Sequence, residues 1–333
     1  MAQTSARAAA SRRDPEEPND VLSVWTDGLL LGGALLYGGF VGTLTVVRGV
    51  PIGPDVILVA AGLLAVMAVR NRIAGLRDWT PFLVLFLAYE LMRGLADDVG
   101  LPVHIGDVAQ LERSLFGGQL PTALLQGWLH PASGTDWLAV AGTVVYYFHF
   151  VLPVLTAFLL WRYRRVLFHP YLISLILLSF AGFVTYLLLP VAPPWFAATA
   201  GQIGALPGEP AITDLKLHAF SSVVGGIGLD GESLYDVAFL ALSANPVAAF
   251  PSLHAAFAFL SFLVLRRAFG AAGWAGFAYF AAVTFTIIYT ADHYVIDVIA
   301  GVSYASGAYV LMWLLVRHAT GVSERRPAIP EPG

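Results

Sequence analysis

Two stretches of this chain bring together residue types able to do acid–base or nucleophilic chemistry. They are Asn245-Pro-Val-Ala-Ala-Phe-Pro-Ser-Leu-His254 and Tyr289-Thr-Ala-Asp-His-Tyr-Val-Ile-Asp297. His293 and Asp297 are four residues apart, so on a helix they share a face and lie within hydrogen-bonding reach. Asp297 falls a turn inside an apolar segment, where a carboxylate is expensive and normally paired. The expected arrangement has Asp297 holding one ring nitrogen of His293, which leaves the other as a base or nucleophile. Pro251 and Ser252 are helix-opening residues, Ser252 as N-cap, which puts His254 in a first turn beside backbone N–H groups that suit an anion. The competing structural readings are an interfacial histidine in a capping motif and a His–Asp pair that ties two helices together. Ser252 and His254 do not form a nucleophile–base pair, because i and i+2 point to different helix faces.

Cationic candidates come next. Arg93 has Glu90 and Asp97 at i−3 and i+4. It is either neutralised by its own helix or offers its planar fork to phosphate oxygens. Lys216, His218, His104 and Arg113 are further candidates, each of lower weight. Tyr146, Tyr147 and His149 read as packing residues, with His149 a weak polar candidate. The chain has 8 His and 0 Cys. It lacks HExxH, paired His-x-His and acidic clusters, so neither a thiolate site nor a metal site is expected.

The elements that must position these residues are membrane helices. The 333 residues are 58% hydrophobic and 12% charged, with mean hydropathy +0.73, far from the soluble balance of about a quarter charged residues. Apolar stretches near 22–47, 54–70, 79–96, 137–161, 170–190, 252–267, 273–291 and 293–316 each approach the roughly 20 residues that span a bilayer. The expected fold class is therefore all-α, a polytopic bundle of about eight transmembrane helices. With the N-terminus inside, alternation puts all of the 18 basic residues except Arg48, Arg93, Arg113 and Lys216 on the inner side, as the positive-inside rule requires. Both termini are then cytoplasmic. Residues 1–20 and 319–333 read as tails, and 21–318 as one membrane domain in the plasma (inner) membrane. His254 and His293 begin their helices at the same, extracytoplasmic face, and Arg93 and the Ala192-Pro193-Pro194 turn arrive there too. Two segments stay on that face. Residues 98–135 carry two short surface helices around Val108–Phe116 and Leu120–Leu129, and 191–250 form a long Gly/Pro-rich loop able to cap a site. A net charge of −4 offers no basic face, so nucleic acid is not an expected partner.

Pro251-Ser-Leu-His254 followed by His293-Tyr-Val-Ile-Asp297 resembles the second and third signature motifs of the type 2 phosphatidic acid phosphatase superfamily. The Pro-Ser-Leu-His form, the Ala-Pro-Pro turn and the long outer loop look most like its branch of fungal inositol phosphorylceramide synthases and their bacterial relatives. The likeness is strongest over residues 185–302, and the Tyr89–Leu129 stretch also looks like that branch. It implies a six-helix phosphatase-like core, with His293 as nucleophile on phosphorus, Asp297 orienting it and His254 as the acid for the leaving oxygen. It also implies a phosphohistidine resolved by water or an acceptor hydroxyl, and no metal or other cofactor. The departures are specific. Thr286 and Ile287 stand where the superfamily has Ser-Arg, and the Lys-x6-Arg-Pro first motif is replaced by Leu189-Pro-Val-Ala-Pro-Pro-Trp195. Trp195 stands where relatives often carry a basic residue. Phosphoryl charge must still be neutralised, which makes Arg93 the first substitute and Lys216 the second, with Ser252, Pro193 and Pro194 completing the expected phosphate site.

The resemblance implies an enzyme transferring a phosphoryl or phospho-headgroup unit from a lipid phosphate donor to water or to a small polyol or lipid hydroxyl. An inositolphosphotransferase type is the first reading and a lipid phosphate or polyprenyl pyrophosphate phosphatase the second. From another class, a non-catalytic lipid transporter or scaffold fits the composition, but matching halves with broken helices are not evident.

Overall fold

The computed structural model describes residues 78–79, 101–201, 203, 211–225 and 247–320. Arg93, residues 1–20 and 321–333 of the tails, and the expected spans 22–47, 54–70 and 79–96 (apart from Trp79) lie outside them, and the last helix runs two residues into the expected C-terminal tail. In chain order the helices are α1 (Gly106–Leu115), α2 (Pro121–Leu129), α3 (Trp137–Tyr163), α4 (Arg165–Leu188), α5 (Pro194–Thr199), α6 (Leu215–Gly225), α7 (Leu253–Phe269), α8 (Trp274–Tyr289) and α9 (Val295–Thr320). The described residues are helical apart from turns and two isolated bridges. The all-α membrane bundle expected from composition is what they form.

Among the described residues, four apolar stretches are long enough to cross a bilayer: Trp137–Tyr163, Arg165–Leu188, Leu253–Tyr289 and Val295–Leu314. The third is a hairpin rather than one rod. Gly270 adopts φ 58°, a 3-10 turn follows over Gly270–Gly273, and α7 and α8 run back against each other so that Ala255 and Ala258 meet Val283 and Ile287. α4 starts at Arg165, five residues before the expected span, because the helix continues past the apolar run at its arginine end.

A core of Leu160, Phe168, Leu172, Leu178, Leu260 and Ala305 joins α3, α4, α7 and α9. In lipid, apolar side chains gain little by leaving the acyl chains, so close backbone approach does much of the packing. Gly301 of α9 shows this, since a Cβ there would lie 2.3 Å from the Ser252 carbonyl oxygen. Gly182 of α4 packs with similar closeness on Leu253, where a Cβ would meet the side chain at 2.9 Å. Both contacts fall at the start of α7.

Polar groups pin the two ends of the bundle. At the arginine end, Arg164 Nε donates to the Ala268 carbonyl at 2.8 Å, and Asp78 accepts from Trp161 Nε1 at 2.7 Å and pairs with Arg165. At the opposite end, Asp136 caps α3 by accepting from Ala139 N–H at 2.9 Å. Its other oxygen takes the Tyr289 hydroxyl at 2.6 Å and His130 Nδ1 at 2.8 Å. Burial would raise this carboxyl, but those three donors hold it below the usual carboxylate value.

Candidate active site

The site lies at the end of the bundle opposite the arginines, where α7 and α9 begin. Ser252 Oγ caps α7 by accepting from Ala255 N–H at 3.4 Å, which leaves His254 in the first turn. Before α9, the end of α8 reverses through Ala291 in the left-handed region at φ 68°. Asp292 N–H and His293 N–H both return to the Ile287 carbonyl, at 2.8 and 3.1 Å, and Ala291 N–H returns to Ile288 at 3.2 Å. This is a Schellman-type helix end. It turns His293 toward α7, and the two histidines of the opening motifs meet with His254 Nδ1 3.2 Å from His293 Nε2.

The segments that connect the long helices hold the second ring nitrogen. Val191 forms bridges to His104 on one side and Ala248 on the other, with Val191 N–H to Val247 at 2.9 Å and Ala249 N–H back to Val191 at 3.0 Å. This small lattice presents the Ala249 carbonyl to His293 Nδ1 at 2.9 Å. Asp297 Oδ2 is farther from that nitrogen, at 3.5 Å, and takes the Tyr294 N–H at 2.8 Å. The nearest partner of His293 is therefore a backbone carbonyl, with Asp297 behind it. A carbonyl only accepts, so Nδ1 carries the hydrogen and the lone pair of a neutral His293 is on Nε2, facing His254.

The same lattice places the expected Pro193 and Pro194, both buried. They open α5, whose Trp195 N–H reaches the Ala291 carbonyl at 3.1 Å. The Ala-Pro-Pro turn thus braces the loop that carries His293.

Lys216 is brought into the site. It is 3% exposed, ion-paired with Asp292, and its Nζ lies 4.0 Å from the centre of the Tyr146 ring. That ring in turn packs on His254 with centroids 4.5 Å apart. Asp214 caps the start of α6 through Lys216 N–H at 3.0 Å; burial raises its carboxyl against the pull of Lys216. Gln126 fixes this loop, since its side chain donates to the Thr213 and Tyr289 carbonyls at 2.9 and 2.8 Å and accepts from Thr213 N–H at 2.9 Å. His104, which pairs with Asp107, and exposed His218, whose ring centre is 6.5 Å from that of His130, have no recorded contact with the two catalytic candidates.

Two participants, Ala249 and Glu112, were not expected from the sequence, and Tyr146 and His149 do more than the packing expected of them. His149 packs on His254 with centroids 4.3 Å apart, so together with Tyr146 it holds the ring of a residue over a hundred positions away. The packing expected of both residues falls on His254 itself. Ala249 had no side-chain signal at all. Glu112 of α1 accepts from Ile296 N–H at 3.2 Å, at the first turn of α9.

With this geometry established, comparison with known proteins defines the class. The profile of the PAP2 superfamily matches residues 107–311, and the chain belongs to that superfamily. It is a membrane-embedded lipid phosphotransferase or phosphatase. A phosphoinositol dihydroceramide synthase of Bacteroides thetaiotaomicron is 29% identical over 249 residues, which cover 72% of this chain and 75% of that one. No solved structure matches the chain significantly.

Proposed function

We propose that the protein transfers a phospho-headgroup unit, of the phosphoinositol type, from a donor lipid to a lipid hydroxyl through a covalent His293 intermediate at the extracytoplasmic face. The observation that carries this reading is the 3.2 Å approach of His254 Nδ1 to His293 Nε2, with the Nε2 lone pair set by Nδ1–H donation to Ala249. The name of the Bacteroides relative supports phosphoinositol as the unit and dihydroceramide as the acceptor class.

In the first step a phosphodiester enters between the rings and replaces the inter-histidine hydrogen bond. His293 Nε2 attacks phosphorus, the bond to the lipid oxygen breaks, and His254 gives that oxygen a proton. In the second step His254 takes the proton of the acceptor hydroxyl, whose oxygen attacks phosphorus and releases His293. One proton returns to His254, so the cycle balances. Lys216 supplies positive charge to the non-bridging oxygens. Ser252, Pro193 and Pro194 hold the helix mouths, and Arg93 is assigned to the same face as a second phosphate cation. Residues 21–318 act as one membrane domain with both termini cytoplasmic.

The test uses purified protein in detergent, phosphatidylinositol labelled in the inositol, and a short-chain dihydroceramide. Labelled product that requires the ceramide supports transfer. Release of inositol phosphate at the same rate without acceptor supports the phosphatase reading instead.

A further inference from the structure

The helix that follows the proposed nucleophile has no capping side chain at its N-cap position, Tyr294. Helices usually start behind Ser, Thr, Asp or Asn, whose side chain accepts an N–H of the first turn. α9 starts at Val295 behind His293 and Tyr294, and a tyrosine hydroxyl is too far along its ring to fold back. Asp297 Oδ2 takes the Tyr294 N–H, and the Ile296 N–H is met by Glu112 Oε2 from α1, 184 residues earlier. A carboxylate there also faces the positive end of the helix dipole.

The orientation of α1 supports this pairing. Glu112 is 0% exposed, while Leu111 and Leu115 of the same helix are 53% and 62% exposed. Burying a glutamate in preference to two leucines is costly unless the glutamate has a partner. Glu112 Oε1, Asp297 Oδ1 and the Tyr294 hydroxyl are buried near one another and have no hydrogen-bond partner among the described residues. The groups that face Glu112 are Asp297 and Tyr294, from α9 and its lead-in, while Arg113 and Asp107 of α1 act on Tyr294. Burial first, then the charge of Asp297, pushes the Glu112 carboxyl up to about 7 against the pull of the N–H groups of Ile296 and Val295.

We propose that Glu112 is a positioning residue for His293, capping α9 from the surface helix and fixing the Tyr294–Asp297 turn from which the nucleophile projects. This rests on the reading of His293 given above. A displaced turn moves a reacting atom, and a shift of about 1 Å can cost about a hundredfold in rate. Glu112→Gln keeps an oxygen that can accept the Ile296 N–H, and Glu112→Ala removes it.

The experiment compares the full-length protein with both variants in detergent from about pH 5 to about pH 9, spanning the ordinary histidine range and the raised carboxyl. It reads phosphatidylinositol-to-dihydroceramide turnover and, independently of substrate, the rate at which diethylpyrocarbonate modifies His293. Glu112→Ala is expected to lower kcat at least about tenfold with KM within about twofold, and to change the His293 modification rate. Glu112→Gln is expected to recover most of kcat. Because the folded carboxyl titrates above its ordinary 4.5, its contribution to stability is complete below about 4.5 and lost as pH rises through about 7. Glu112→Gln removes that fall. Wild-type kcat and His293 reactivity in Glu112→Ala overturn the proposal. Should that variant fail to fold, Glu112→Met, of similar volume and without an accepting oxygen, takes its place, and wild-type kcat and His293 reactivity in it overturn the proposal. Turnover in His293→Ala would instead overturn the underlying reading.

Discussion

The missing motif arginine is a question about single residues. Ile287 replaces it and is fully buried, so no charge can come from that position. Lys216 reaches the same site from the first turn of α6, held by Asp292 and by the Tyr146 face that packs on His254. Removing one preorganised donor to transition-state charge costs about 10²–10³ in kcat, the loss the proposed role gives Lys216. Lys216→Met is expected to lose that much, and Lys216→Arg to recover part of it. Because Lys216→Met also strands the buried Asp292, it should lower thermal stability as well. Adding Asp292→Asn to Lys216→Met should restore the melting temperature but not turnover. If the double variant regains activity, Lys216 serves the fold and another cation holds the phosphate.

At the scale of elements, the site depends on how closely α9 and α4 press on the start of α7. Gly301→Ala puts a methyl against the Ser252 carbonyl and should cost about 1–3 kcal/mol of stability, read as a lowered melting temperature. It should also reduce turnover more than Gly307→Ala, where no neighbour lies within 4 Å; equal effects would contradict the packing account. These contacts also explain what could be read from the sequence. The last five apolar spans, the Ser252 cap and the meeting of His254 with His293 were legible, because hydropathy and local capping rules need only nearby residues. The Ala249 carbonyl, the His149 and Tyr146 rings on His254, and Glu112 at the mouth of α9 were not. Each is delivered by chain reversals and bridges between distant segments, and a backbone carbonyl leaves no mark in residue type. The apolar stripe of α1 was legible too, but it points outward, toward where lipid would lie, and the informative residue is on its other face.

Across the whole molecule, charge and chemistry separate to opposite ends. Arg162, Arg164, Arg165, Arg266 and Arg267 cluster at one end of the helices, with Asp78 among them, while His254, His293 and Lys216 gather at the other. We place the arginine end in the cytoplasm. A chain with 0 Cys is a clean background for testing this. Cysteine introduced at exposed Trp128 should react with a membrane-impermeant maleimide in intact cells, and cysteine at exposed Tyr163 only after lysis. The reverse pattern would invert the topology and put the site on the inner leaflet.

The central claim is a covalent bond between His293 and the transferred unit. Protein incubated with inositol-labelled phosphatidylinositol without acceptor, quenched in base and digested, should yield a labelled peptide modified at His293. The label should be acid-labile, absent from His293→Ala and discharged by dihydroceramide. Product formation at the wild-type rate by His293→Ala, or full turnover with no label on His293 at any time, would contradict the account.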